Sequence, residues 1–214
     1  MIELLPPALI LFLGALLIGL TRGPIRTAVI LVAPLVTLWA IWQVPDGAAA
    51  TLPFLSYELS PVTGSPVRRL FATVFAIMAF TGGLFAYRQA RWQELAAAFA
   101  YGAGAIGCSF AGDLVTLFIF WEIMALFSTL VVLCGGTPGA RRAGFRYAVM
   151  HLVGGVILMV GIVGVIVQTG LLPEVIEDSL AHIRRGAEKA GRDFDKIDKT
   201  WFPWVSVGPT KEAA

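Results

Sequence analysis

Charge is the scarcest ingredient of this chain. Asp, Glu, Lys and Arg make up 14% of its 214 residues, against 57% hydrophobic ones. A soluble domain carries roughly 25% charge, so this chain cannot cover a water-facing surface, and lipid is its natural solvent. Histidine and cysteine are rare too, at two each. There is no HExxH, CxxC, GxGxxG or Walker loop, and no nucleophile–base pair stands out. The expectation is no metal, no cofactor and no soluble-type catalysis in residues 1–172. Cys108 and Cys134 fall in or at the end of apolar runs and read as small packing residues. A net charge of +2 is too small to suggest nucleic acid as a partner. No basic stretch precedes the first apolar run, so it reads as a membrane helix and not a cleaved signal.

What is present is apolar spans: Ile2–Leu20, Thr27–Val44, Leu70–Tyr87, Leu95–Ala111, Leu114–Cys134 and Tyr147–Gln168. Each is near the ~20 residues that cross a ~30 Å hydrocarbon layer. Alternating the connections puts Arg22, Arg26, Arg88, Arg91, Arg141, Arg142 and Arg146 on one side, with Glu94 the only acid. The other side receives only Arg68 and Arg69, beside Asp46 and Glu58 and a tight turn at Gly112–Asp113. Seven arginines against two is a positive-inside signal. It predicts an N-terminus on the outer, periplasmic side of a plasma (inner) membrane, and everything after the sixth span there too. The loop 46–69 has room for a short hairpin, and Gly135–Gly139 reads as a turn. The expected fold class is an all-α membrane protein of six transmembrane helices over 1–170, with a tail over 171–214.

That tail is different in kind, with seven basic and eight acidic residues in positions 173–214. Val175, Ile176, Leu180 and Ile183 recur at helical spacing, Gly191 would end that helix, and Lys199–Val207 reads as a short strand. A helix and a strand cannot bury a core alone.

Glu122 is the informative residue. It lies eight residues into the fifth span, within Phe118-Ile119-Phe120-Trp121-Glu122-Ile123-Met124, roughly 12 Å from its start. Ionising an unpaired carboxylate there costs several kcal/mol, so its charge depends on a partner's position, which is the physics of a proton relay. The alternative is a carboxylic acid bonded between helices for packing specificity. Asp113, at the turn before the same helix, reads either as a helix cap or as a proton uptake group. His151, in the sixth span, either passes a proton or is a bonded core histidine. Arg146 and Tyr147 read as interfacial anchors. Gly102, Gly104, Gly107, Gly154 and Gly155 permit close helix packing.

The run Gly112-Asp113-Leu114-x-x-Leu117-Phe118-x-Phe120-Trp121-Glu122-x-Met124-x-Leu126-x-Ser128 resembles the fifth helix of the antiporter-like membrane subunits. These occur in NADH:quinone oxidoreductase (complex I), Mrp-type multisubunit cation/proton antiporters and membrane-bound hydrogenases. The run Ala143-Gly144-x-Arg146-Tyr147-x-x-x-His151-Leu152-x-Gly154-Gly155-x-x-Leu158 resembles their next helix, and its wording is most like the D subunit of the Mrp type. The resemblance covers residues 1–170. It implies a parent fold of about fourteen helices with two inverted repeats, with other membrane subunits, protons and a monovalent cation as partners. It matches Glu122 to the family's intramembrane glutamate, which pairs with a lysine on a seventh helix. That helix has no counterpart here, so a truncated subunit that does not pump alone is the expectation.

The stretch Val175-Ile176-Glu177-x-Ser179-Leu180-x-His182-Ile183-x-x-Gly186-Ala187-Glu188-x-Ala190-Gly191-Arg192-Asp193 resembles a helix of luciferase-like flavin- or F420-dependent oxidoreductases. It implies a chimeric reading frame joined near Gly170–Pro173, set against a genuine amphipathic surface tail. Three functions follow. The first is proton/cation transport through Glu122, with His151 and Asp113 on the path. The second is a non-transporting scaffold or a complex I-type fragment. The third, least favoured, is an enzyme built on the tail. The chain is not expected to be an enzyme by itself, and would be a translocase subunit only if complex I-like.

Overall fold

The computed structural model describes residues 6–54, 57–169, 181–182, 184–189 and 191. Among the described residues up to 169, six helices run in order: α1 (Pro7–Leu20), α2 (Gly23–Gln43), α3 (Pro66–Ala86), α4 (Trp92–Phe110), α5 (Leu114–Leu133) and α6 (Pro138–Thr169). Between α2 and α3 stands an antiparallel hairpin of β1 (Ala49–Phe54) and β2 (Tyr57–Thr63). The chain is an all-α multi-pass membrane protein with this one small sheet among the described residues. Residues 1–159 form one compact unit, and 160–214 a second.

Among the described residues four helices, α2, α3, α5 and α6, are long and apolar enough to cross a membrane. In the described residues α1 has only 14 residues, about 21 Å at 1.5 Å per residue. The 19-residue α4 carries Gln93 and Glu94 in its first turn. It is the centre of the bundle, packed on α1, α3 and α5. Its buried side is largely small, with Ala97, Ala100, Ala103, Gly104 and Gly107, so backbones approach closely. A Cβ on Gly107 would stand 2.2 Å from the Phe120 ring of α5, and one on Gly104 2.8 Å from Met124. Cys108 is a free thiol at this seam, 3.7 Å from the Leu117 carbonyl and from Met124 Sδ, as expected of a packing cysteine. By contrast α2, α3, α5 and α6 expose large apolar side chains such as Trp39, Phe85, Leu126 and Ile157, the surface that lipid covers.

Pro34 does not break α2. Proline removes the bond its N–H would give to the carbonyl four residues earlier. That carbonyl, Ile30 O, lies against Gly83 of α3, where a Cβ would meet it at 3.4 Å.

Four helices start earlier than the apolar spans suggested: α2 at Gly23 and not Thr27, α4 at Trp92 and not Leu95, and also α3 and α6. Helix α3 begins at Pro66, not Leu70, because Ser65 Oγ accepts the Arg68 amide. Helix α6 begins at Pro138, not Tyr147, with Thr137 Oγ1 accepting the Ala140 amide. Arg141, Arg142 and Arg146 therefore lie on α6 and not in a loop. A cap and a first-turn proline set the helix start, whereas apolarity marks only where lipid begins.

The hairpin is fastened to the bundle. Ser60 N–H donates to Asp113 Oδ2 at 2.7 Å, and Gly112 N–H donates to Ser60 O at 2.8 Å. Arg68 donates to Ala111 O. Arg69 pairs with Asp46 at 2.7 Å and donates to Val44 O at 2.8 Å.

Of the tail, residues 181–182 and 184–189 are helical. Gly191, at φ +65°, returns its N–H to Glu188 O at 3.1 Å, in keeping with the expected helix end. The expected strand Lys199–Val207 and the junction at Gly170–Pro173 lie outside the described residues.

Candidate functional site

Helix α5 and its N-cap hold two charged side chains, the carboxylates Asp113 at the start and Glu122 near the middle. Asp113 is the N-cap. Its Oδ1 accepts the Thr116 amide at 2.8 Å, and its Oδ2 accepts the Thr116 hydroxyl at 2.5 Å and the Ser60 amide at 2.7 Å. Tyr57 of β2 also feels it. Burial pushes the Tyr57 phenol above its ordinary range, and the charge and hydrogen bond of Asp113 add to that. Asp113 thus has its acceptor sites engaged in capping α5 and latching the hairpin, the structural alternative left open by the sequence.

Glu122 is placed in the opposite way. Its Oε1 is buried and has no hydrogen-bond partner among the described residues. Its carboxyl lies against Gly155 of α6, where a Cβ would stand 2.2 Å from Oε1 and 3.0 Å from the carboxyl carbon. Further along the seam towards the α5–α6 connection, Gly144 accommodates Leu133 in the same fashion, with a Cβ there 2.5 Å from its Cδ2. The two pairings run in opposite directions along α5 and α6, as an antiparallel helix pair requires. Gly154, by contrast, is open, with nothing within 4 Å of its would-be Cβ.

Beside this contact runs a groove of about 430 Å³ lined by Leu117, Trp121, Tyr147, Met150, His151, Gly154 and Leu158. His151 stacks obliquely on Tyr147, with ring centroids 4.4 Å apart. It lies one turn before Gly155, so the two share a face of α6 about 6 Å apart along the axis. Glu122 and His151 therefore approach the same stretch of the α5–α6 seam, although no direct contact joins them among the described residues. Asp113 is apart from both, at the hairpin end.

Sequence reasoning missed Gly155 as the wall behind the carboxylate and treated Tyr147 only as an interfacial anchor. The i, i+4 spacing of Tyr147 and His151 was the available signal for their pairing. Nothing local signals which glycine of the Gly154-Gly155 pair faces Glu122.

Comparison with known proteins covers this region. Residues 111–189 match the family described as NADH:quinone oxidoreductase/Mrp antiporter, transmembrane, a stretch that contains Asp113, Glu122 and His151. The chain is 30% identical over 115 residues to the D subunit of an Na(+)/H(+) antiporter of Alkalihalophilus pseudofirmus, covering 50% of this chain and 23% of the relative. It is 25% identical over 108 residues to the corresponding Na(+)/H(+) antiporter D subunit of Bacillus subtilis, covering 48% of this chain and 22% of the relative. It is also 34% identical over 62 residues to an uncharacterized protein of Methanocaldococcus jannaschii, covering 29% of this chain and 13% of the relative. The chain thus spans less than a quarter of the length of these relatives. The family match runs through Gly170–Pro173 as far as residue 189, so the flavin-enzyme likeness of that stretch competes with a family match over the same residues. Residues 111–189 of this chain are thus similar to the transmembrane part of the NADH:quinone oxidoreductase/Mrp antiporter family.

Proposed function

We propose that this chain serves proton and monovalent-cation transport as a subunit of a multisubunit membrane complex, with Glu122 as the carboxylate that takes up and releases the proton. The observation that carries this reading is the buried, unbonded Oε1 of Glu122 on a helix matched to the antiporter family. A buried carboxylate with a free acceptor oxygen is unfavourable while charged and is ready for a proton or a cation. The glycine behind it leaves the space that the carboxyl occupies against α6. His151, one turn from Gly155, has an imidazole that can accept and donate a proton and is the next group on the path. Asp113, at the hairpin end, is the uptake group only if a proton can displace one of its bonds.

Sodium is the proposed cation, from the names of the two antiporter relatives. The arginine-bearing end faces the cytoplasm of a bacterial-type plasma membrane by the positive-inside asymmetry. A second reading is a scaffold subunit without transport of its own. It is favoured by the absence of a cationic partner for Glu122 among the described residues.

One experiment separates the two. Glu122→Gln is placed in the assembled complex, and both coupled cation/proton flux in vesicles and complex yield are measured. Loss of flux with unchanged yield supports transport. Unchanged flux sinks it, and reduced yield with normal flux per complex establishes the scaffold reading.

A further inference from the structure

The two ends of the helical bundle treat their cations differently. At the hairpin end both arginines are committed: Arg68 to Ala111 O, and Arg69 to Val44 O and Asp46. At the other end stand Arg22, Arg26, Arg88, Arg91, Arg141, Arg142 and Arg146, and none has an acidic partner among the described residues. All but Arg26 are exposed. Their position is not explained from inside. Arg22 and Arg91 are the N-cap residues of α2 and α4, and their side chains make no capping bond. Arg141 and Arg142 lie early in α6, whose first turn has no acid. A helix start repels cations, so the chain gains nothing by itself from guanidinium groups there.

Part of this surface is contiguous. Arg26 is held by the Thr21 carbonyl through Nε at 2.9 Å, and lies over the Trp92 ring at 5.9 Å from its centroid. Trp92 is packed against Gly19 of α1. Arg91, next to Trp92, reaches across the α5–α6 turn, its Nη2 3.3 Å from a Cβ built on Gly136. The apolar shafts begin at once: Leu20 is 72% exposed, Phe85 73% and Phe145 71%. Guanidinium groups without acidic partners among the described residues, and an indole, thus directly border exposed apolar side chains, where the headgroups of a bilayer around the apolar shafts would begin.

We infer that Arg26, Arg91 and Trp92 form a binding site for an anionic phospholipid headgroup, with Arg22, Arg88, Arg141 and Arg142 forming a wider basic collar around it. Arginine suits this role because its planar fork donates two parallel bonds to a phosphate, and its face stacks on an aromatic ring. The acyl chains would lie along the exposed apolar side chains beside it.

The test is native mass spectrometry of the full chain, released from mixed micelles holding equal phosphatidylglycerol and phosphatidylcholine. The expected result is preferential retention of phosphatidylglycerol. The Arg26→Gln/Arg91→Gln pair should lower that preference roughly tenfold or more, since each surface arginine contributes about fivefold to anionic-lipid attraction. The Arg26→Lys/Arg91→Lys pair should fall between the wild type and the glutamine pair, since lysine keeps the charge but loses the fork and the stacking. If the glutamine pair fails to fold, the wild type decides through salt: the preference must weaken as ionic strength rises. Equal retention of the two lipids, an unchanged preference in the glutamine pair, or a salt-independent preference overturns the proposal. So does displacement of phosphatidylglycerol by millimolar inorganic phosphate, which would mark a site for free anions.

Discussion

The start and the middle of α5 hold one carboxylate each, and the fold uses them in opposite ways. Asp113 accepts three bonds, from Thr116 N–H, the Thr116 hydroxyl and Ser60 N–H. Glu122 leaves a buried oxygen without any among the described residues. A carboxylate tied to several donors stabilises the fold and is poorly placed to exchange its proton. One left bare in an apolar seam contributes little to stability and responds to whatever charge approaches. The lesson is that position along the helix alone does not separate the two acids; the count of satisfied acceptor sites does.

Removing each side of this contrast should give different losses. The largest stability effect is expected for Asp113→Ala. It removes a cap worth about 1 kcal/mol and strands the Ser60 amide, which costs about 1–3 kcal/mol more if it stays buried. Thermal unfolding in detergent measures it, and a loss well under 1 kcal/mol would mean that water replaces both bonds. At the seam, Gly155→Ala should cost about 1–3 kcal/mol by overpacking, towards the lower end because the Glu122 carboxyl can swing aside. Its neighbour Gly154→Ala should be neutral or gain up to about 1 kcal/mol from helix propensity. Equal effects at the two positions would break the assigned rotation of α6.

The smallest effect concerns Tyr57. Its phenol is held above its ordinary range by burial first and by Asp113 second. The stabilisation linked to its proton is therefore complete below the unfolded pKa and is lost as pH rises through the higher folded one. Asp113→Asn should shift the tyrosinate absorbance transition to lower pH by a modest amount. No shift would place the cause in burial alone.

Much of the frame was legible. Hydropathy located all six helices, because the same apolar runs that need lipid also need their backbones bonded. The depth of Glu122 followed from counting residues. The early starts of α3 and α6 were not legible from apolarity, because Arg68, Arg69, Arg141 and Arg142 interrupt the apolar pattern without interrupting the helix. The contact of Glu122 with Gly155 was out of reach for another reason. Helices α5 and α6 are apolar nearly all round, so no polar stripe sets their rotation. The bond from Ser60 to Asp113 joins residues 53 apart in sequence, and no local pattern announces it.

The proposal that matters most is that the proton is carried by the Glu122 carboxyl, ahead of the hydrogen-bonded Asp113. An infrared pH titration of the full chain tests it directly, by following the carboxylic-acid carbonyl band in wild type, Glu122→Gln and Asp113→Asn. The expected result is a titrating band that disappears in Glu122→Gln and persists in Asp113→Asn. A band that survives Glu122→Gln and vanishes with Asp113→Asn would contradict it.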